Sequence, residues 1–259
     1  MTVRRTKAPA LGLLALIFCV ACQMAVANEK PTVFVSLNMK PEQVQERSTL
    51  RIPWQLIPIG EKGRREGGVL LNTPHRLIYE DATLRVVLPD AGNALSMPTG
   101  LMIASDVVHL VSASVLGEYV NLEKAIATSK SLLAEVLAQG FEYGPLDPAK
   151  WQYPKFLLAR KLPPAPRIVD SFEQMEAVFL NSHYYLQEFV VFVLVKSDLR
   201  VSLRVTNMRR RFTEDHISLS EPSKSIPERA AHEAREFDEA SLRNERAYYL
   251  EISVSKRSL

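Results

Sequence analysis

Apolar and polar positions alternate with period two over much of the chain, and three stretches switch to a helical spacing. Residues 32–37 (TVFVSL) form a short strand candidate. Residues 50–59 (RIPWQLIPI after Leu50) also alternate. Pro53 and Pro58 confine that strand to a sheet edge or an irregular position, because proline cannot donate to the ladder. Residues 60–68 (GEKGRREGG) are a glycine-punctuated charged loop. Residues 69–79 and 83–88 then predict a hairpin turning at Glu80-Asp81-Ala82, with Leu84, Val86 and Leu88 on one face. A turn-rich stretch over 89–98 precedes a second hairpin, 101–104 with 107–115, turning at Ser105-Asp106.

The strongest helical signal covers 121–139. Asn121 is a suitable cap and Glu123 favours the positive end of the helix. Leu122, Ile126, Ser129, Leu133, Val136 and Leu137 fall on one stripe, supported by Ala125 and Leu132, and Gly140 terminates the helix. Phe141 is placed to fold back over the last turn. Further on, Asp170-Ser-Phe-Glu173 has capping-box spacing and opens a short helix through about residue 180. Residues 189–195 are continuously apolar, which predicts a strand buried on both faces. Ser197-Asp198 turns it into a return strand in which Val201, Leu203 and Val205 alternate with Arg200, Ser202 and Arg204. Residues 218–226 are polar. Pro227 to Arg246 reads as a solvated helix with charges at i,i+4 spacing, and 249–255 closes as a strand.

Strand runs followed by a helix, twice over, predict an α+β protein of largely antiparallel hairpins with packed amphipathic helices. Residues 145–166 contain six prolines and divide the body into two similar-sized α+β sub-domains, 28–144 and 167–259.

The first 27 residues change the reading of compartment. Arg4, Arg5 and Lys7 precede the unbroken apolar run LGLLALIFCVA, and Ala25-Val-Ala27 supplies small residues where a signal peptidase reads. The apolar run is much shorter than the roughly 20 residues needed to span a bilayer. A cleaved signal peptide with Asn28 as the new N-terminus is therefore expected, and with it a periplasmic location. The alternative is a membrane-anchored lipoprotein. Cys19-Val-Ala-Cys22 resembles a bacterial lipoprotein box, which implies lipidation at Cys22, but Cys19 stands where that pattern has leucine or a similar aliphatic residue.

Export also changes the charge. The chain has 32 Lys+Arg and 29 Asp+Glu, and the leader holds three of the bases and none of the acids, so the mature chain is neutral with 29 of each. A neutral chain has no electrostatic case for nucleic acid, and a membrane enters only through lipidation at Cys22. Both cysteines lie in the leader, which excludes disulfides, thiol nucleophiles and cysteine-ligated metals from the mature body.

The motifs add little chemistry. His75, His109, His183, His216 and His232 have no local ligand spacing, so neither a metal nor a cofactor is expected. Ser253-Val-Ser-Lys256 matches the S-x-x-K string of penicillin-recognising enzymes but falls on a predicted strand, where residues three apart face opposite sides. No G-x-S-x-G, G-x-G-x-x-G or P-loop is present. The acidic pairs Glu80-Asp81 and Glu214-Asp215 sit in turns, where carboxylates cap backbone groups or face water. Arg64 and Arg65 in the charged loop, and the run Arg209-Arg210-Arg211, are the candidate contacts for a partner.

The layout resembles the general design of small periplasmic proteins that neutralise secreted toxins, including immunity proteins against type VI effectors. It is a resemblance of plan and transfers no residue set. The expectation is a non-enzymatic periplasmic protein that binds another protein. The alternatives are an exported hydrolase with a spatially assembled site, such as His183 with Asp215 and a serine, and an envelope-assembly accessory lipoprotein.

Overall fold

The computed structural model describes residues 30–59, 63–92, 98–144, 169–180, 189–208 and 243–256. The fold is α+β, with two mostly antiparallel sheets. In chain order the elements are β1 (Thr32–Val35), α1 (Pro41–Arg47), β2 (Gln55–Ile59), β3 (Arg64–Leu71), β4 (His75–Glu80), β5 (Arg85–Ala91), β6 (Thr99–Ala104), β7 (Val107–Ser114), α2 (Leu122–Ala138), β8 (Glu142–Tyr143), α3 (Phe172–Leu180), β9 (Phe189–Lys196), β10 (Leu199–Asn207) and β11 (Tyr248–Lys256).

The large sheet has eight strands in the order β2-β3-β6-β7-β11-β10-β9-β8, all antiparallel. The small sheet has the order β1-β4-β5, and its β1–β4 pair is parallel, an exception to the expected antiparallel pairing. One face of each sheet feeds a single apolar core. Val33, Val35, Leu77, Val86 and Leu88 of the small sheet join Leu101, Val111, Ile252, Leu203 and Phe192 of the large one. Strands from both sides of residues 145–166 pair in the large sheet, and described residues from both sides share that main core. The proline-rich segment itself lies outside the described residues, as do the leader and the charged stretch expected to be a helix from Pro227 to near Arg246, apart from its last few residues.

Helix α2 forms as its sequence predicts. Asn121 accepts a side-chain bond from the Lys124 N–H (2.9 Å), and Gly140 takes φ +82 just past the end. Leu122, Ala125, Ser129, Leu132, Leu133 and Val136 are buried, and Ile126 and Leu137 only partly, so the inward face is rotated slightly toward Ala125 and Leu132. The helix packs on β10, β11 and β5 and so touches both sheets. At its end the Gln139 amide imitates a strand neighbour: Oε1 accepts from the Arg85 N–H (2.7 Å) and Nε2 donates to the Arg85 carbonyl (2.9 Å). Phe141 is buried in the core, and the Lys196 ammonium bonds the Gln139 carbonyl at the negative end of the helix.

One helix is unexpected and three expectations are corrected. Helix α1 has no counterpart in the periodicity; Pro41 opens it, only Pro41 and Val44 are buried, and the Arg47 guanidinium lies 3.5 Å from the Phe34 ring centre on β1. The expected strand 69–79 is two strands in different sheets, because the chain crosses between sheets at Asn72-Thr73-Pro74. The charged loop 60–68 is shorter than expected, since β3 begins at Arg64. The cap of α3 is Ser171 rather than Asp170: Ser171 Oγ accepts from the Gln174 N–H (3.2 Å), and Gln174 Oε1 accepts from the Asp170 N–H (3.3 Å).

The hairpin expectations hold. Ser105 and Asp106 take φ +51 and +70, both left-handed, as a two-residue turn between β6 and β7 requires. Leu84, Val86 and Leu88 are all buried. Strand β9 is buried on both faces, with Val190, Phe192 and Leu194 in the main core and Phe189, Val191 and Val193 clustered on the other side. Strand β2 occupies a sheet edge, where Pro58 is tolerated.

Candidate interaction surface

The inner face of the large sheet is filled by core side chains, so any binding surface of this sheet lies on its outer face. There, at the β2 end, large apolar side chains meet water. Ile57 is 67% exposed, Leu70 64%, Ile59 48% and Met102 42%. Among the described residues these are the larger apolar exposures, and they belong to three adjacent strands. Register places them on one face. Gln55 pairs with Gly68 and Gly68 with Met102, while Leu70 pairs with Gly100. Residues two apart along β2 and β3 return to that same face, which brings in Ile57 beside Glu66 and Ile59 beside Arg64.

Two glycines shape the floor of this patch. A Cβ on Gly68 would lie 2.4 Å from the Leu101 carbonyl and 3.2 Å from Met102 Sδ; one on Gly100 would lie 2.8 Å from Ser112 Oγ and 3.5 Å from Leu70 Cδ2. Met102 and Leu70 thus lie close over backbone that carries no side chain of its own. The next strands continue outward with Ser112, Ser253 and Ser202 in register. His109 is the extra residue of a bulge, since Met102 pairs with Leu110 and Ile103 with Val108; it is exposed.

Of the two arginines expected to contact a partner here, the structure separates one from the other. Arg65 is occupied within the fold. Its Nε (2.8 Å) and backbone N–H (3.0 Å) both donate to Asp106 Oδ1, and its guanidinium forks onto Glu42 of α1 at 2.5 and 3.3 Å. The hydrogen bonds from Arg65 hold the carboxyls of both Glu42 and Asp106 below their ordinary range. Arg65 is therefore a tie between α1, β3 and the β6–β7 turn. Arg64 is exposed beside Ile59, on the patch. Arg209, Arg210 and Arg211 lie outside the described residues, as do Ala25, Ala27 and Cys22.

The other candidates are also placed. His75 is fully buried, while His183, His216 and His232 lie outside the described residues. Ser253 and Lys256 are on β11 with opposite parity, and Ser253 Oγ donates to Glu251 Oε1 at 3.4 Å, so the pair has no helical-turn geometry. Asp81 is a turn carboxylate that accepts from the Tyr79 hydroxyl (2.6 Å) and from the backbone N–H groups of Thr83 and Leu84. Glu214 and Asp215 fall outside the described residues. Among the described residues no group of three His, Cys, Asp or Glu could hold a metal, and no helix is long and apolar enough to cross a membrane.

A run such as Val69-Leu70-Leu71 does not by itself tell which of its side chains meets water, so the patch has no local mark in the sequence. The period decides it only once the core side is known: with Val69 and Leu71 turned inward, Leu70 must face out. No protein-family model, no curated protein and no solved structure matches this chain.

Proposed function

We propose that this chain is an exported, non-enzymatic protein that binds another protein, with neutralisation of a secreted toxin as the specific form of that role. The observation that carries the binding reading is the cluster of Ile57, Ile59, Leu70 and Met102, which leaves apolar side chains in water on one face of a rigid sheet. Arg64 and Glu66 border it with charge of both signs, as the rim of a protein-binding surface does. Pro58 on the edge strand argues for docking on the face rather than strand addition along the edge, because a proline there removes a donor.

The test places a photo-reactive residue at Leu70 or, as a control, at exposed Lys130 on α2, in cells that export the protein. One protein adduct formed from position 70 and lost in the Ile57→Glu variant, with melting unchanged, is expected. Equal labelling from both positions, or turnover of a hydrolase substrate abolished by a histidine substitution, overturns the reading. Export itself is checked by the N-terminus of the recovered protein. Asn28 is expected, and an acylated Cys22 would instead make it membrane-anchored.

A further inference from the structure

The chain crosses from the large sheet to the small one at residues 72–74 and returns between Gly92 and Thr99. His75 stands at the end of the first crossing, against Gly92 where the second begins. It is 0% exposed and pairs with Ala91 at the start of β4. Its Nδ1 lies 2.8 Å from the Thr73 carbonyl oxygen. A carbonyl only accepts, so Nδ1 carries the proton and Nε2 presents a lone pair. Nε2 is buried and has no hydrogen-bond partner. Gly92, at φ +65, presses on the ring so closely that a Cβ there would be 2.6 Å from Cε1 and 2.8 Å from both Nδ1 and the Leu71 carbonyl. Thr99, across from Leu71 in the β3–β6 register, is also fully buried, with an unpartnered hydroxyl.

We propose that His75 is an acid-operated latch on this crossing: a proton taken up at Nε2 creates a buried cation with an N–H that has no acceptor, and releases the ends of β4 and β5 from one another. The geometry localises the release. A bulge at Pro89-Asp90 separates the His75–Ala91 pair from the continuous ladder that starts at Leu77–Leu88, so this end opens without breaking the rest. Among the described residues of the neighbouring strands, nothing charged compensates the imidazolium. Arg76 on β4 is exposed, Glu80 pairs with Arg85 across the hairpin, and Asp90 pairs with Lys30 before β1. On β3, Arg65 is held by Glu42 and Asp106, and Arg64 and Glu66 are exposed. Strands β1 and β6 carry no charged residue, and residues 93–97 (NALSM) contain none. Burial lowers the proton affinity of His75, against which the Thr73 bond acts in the opposite sense. The open form takes up its proton near histidine's ordinary 6.5 and the closed form only at lower pH. The closed form is therefore favoured above 6.5 and loses ground as pH falls below it. The latch does not depend on the proposed binding role.

The test uses the mature protein. Nitrogen-15 correlation spectra of the imidazole at pH 7.5 should show the Nδ1–H tautomer. Hydrogen exchange, corrected for the intrinsic pH dependence of the rate, should show protection of 71–76, 90–92 and 99 falling by about tenfold per pH unit below 6.5 until the closed form itself protonates, while β9–β10 stays protected. His75→Asn keeps a donor for Thr73 without a titrating ring and should abolish this dependence; His109→Asn should leave it intact. An Nε2–H tautomer, pH-independent protection, or an undiminished acid response in His75→Asn overturns the proposal. If His75→Asn fails to fold, the tautomer and exchange profile of the parent decide.

Discussion

Arg65 and Asp106 are joined through three hydrogen bonds. Asp106 Oδ1 accepts from both Nε and the backbone N–H of Arg65, and the Asp106 N–H donates back to the Arg65 carbonyl at 3.1 Å. A carboxylate at a left-handed turn position thus pins the start of β3 to the β6–β7 turn, and the same guanidinium reaches on to Glu42. Replacing Asp106 by Asn keeps a residue that tolerates φ +70 but removes the charge. The variant should melt below the parent at neutral pH. Because the native Asp106 carboxyl titrates below its ordinary 3.8, the parent's advantage is complete above that value and fades as pH falls through the lower native one. Thermal melts of both proteins from pH 7 down to pH 3 check this; a constant gap across the range would show that the charge contributes nothing.

Gly92 and Gly63 have nearly the same left-handed backbone, φ +65 and +61, in opposite surroundings. At Gly63 a Cβ meets nothing within 4 Å among the described residues, whereas at Gly92 it collides with the His75 ring and the Leu71 carbonyl. Gly63→Ala should cost only the conformational penalty of about 1–2 kcal/mol. Gly92→Ala should cost clearly more, since backbone and a buried ring would have to move. Chemical denaturation separates the two, and equal losses would mean that the approach at Gly92 is not tight.

Leu133 is buried on α2 and Ile126 is only partly so. Leu133→Ala should lower stability by about 2–5 kcal/mol, the usual range for a buried leucine. Ile126→Ala should lower it by less. The opposite order in urea unfolding would mean that the helix faces the sheets through a different stripe.

Thr99 presents a buried hydroxyl without a partner. Thr99→Val replaces that hydroxyl by a methyl of similar shape. It should be neutral or stabilising by about 1 kcal/mol, because a buried unpaired hydroxyl is costly. A clear loss of stability would reveal a bonding role for Thr99 Oγ1.

What could be read from the sequence was local. The α2 cap at Asn121, the stop at Gly140, the turns at Ser105-Asp106 and Ser197-Asp198 and the two-faced burial of β9 each depend on residues within a few positions of one another. What could not be read was long-range or short of a full period. Helix α1 spans two turns and buries one aliphatic side chain besides its proline, too little for a stripe. The break of residues 69–79 into strands of different sheets is decided by their partners, since β3 pairs with β2 and β6, and β4 with β1 and β5. The binding patch was hidden for the same reason. Which of three consecutive apolar residues faces water depends on which side the core lies.

The position of β11 has a consequence for how the protein is made. It lies between β7 and β10, pairing Ser112 with Ser253 and Ser253 with Ser202, and its start bridges to Val120 just before α2. It is also the last of these strands to leave the ribosome. Until it arrives, β7 and β10 each present an open edge, and neither part of the large sheet can complete its side of the core. Assembly of the sheet therefore waits for β11 to follow the other strands, with the slow kinetics that distant pairings impose, and the interval before β11 closes the gap is when mispairing between chains is most dangerous.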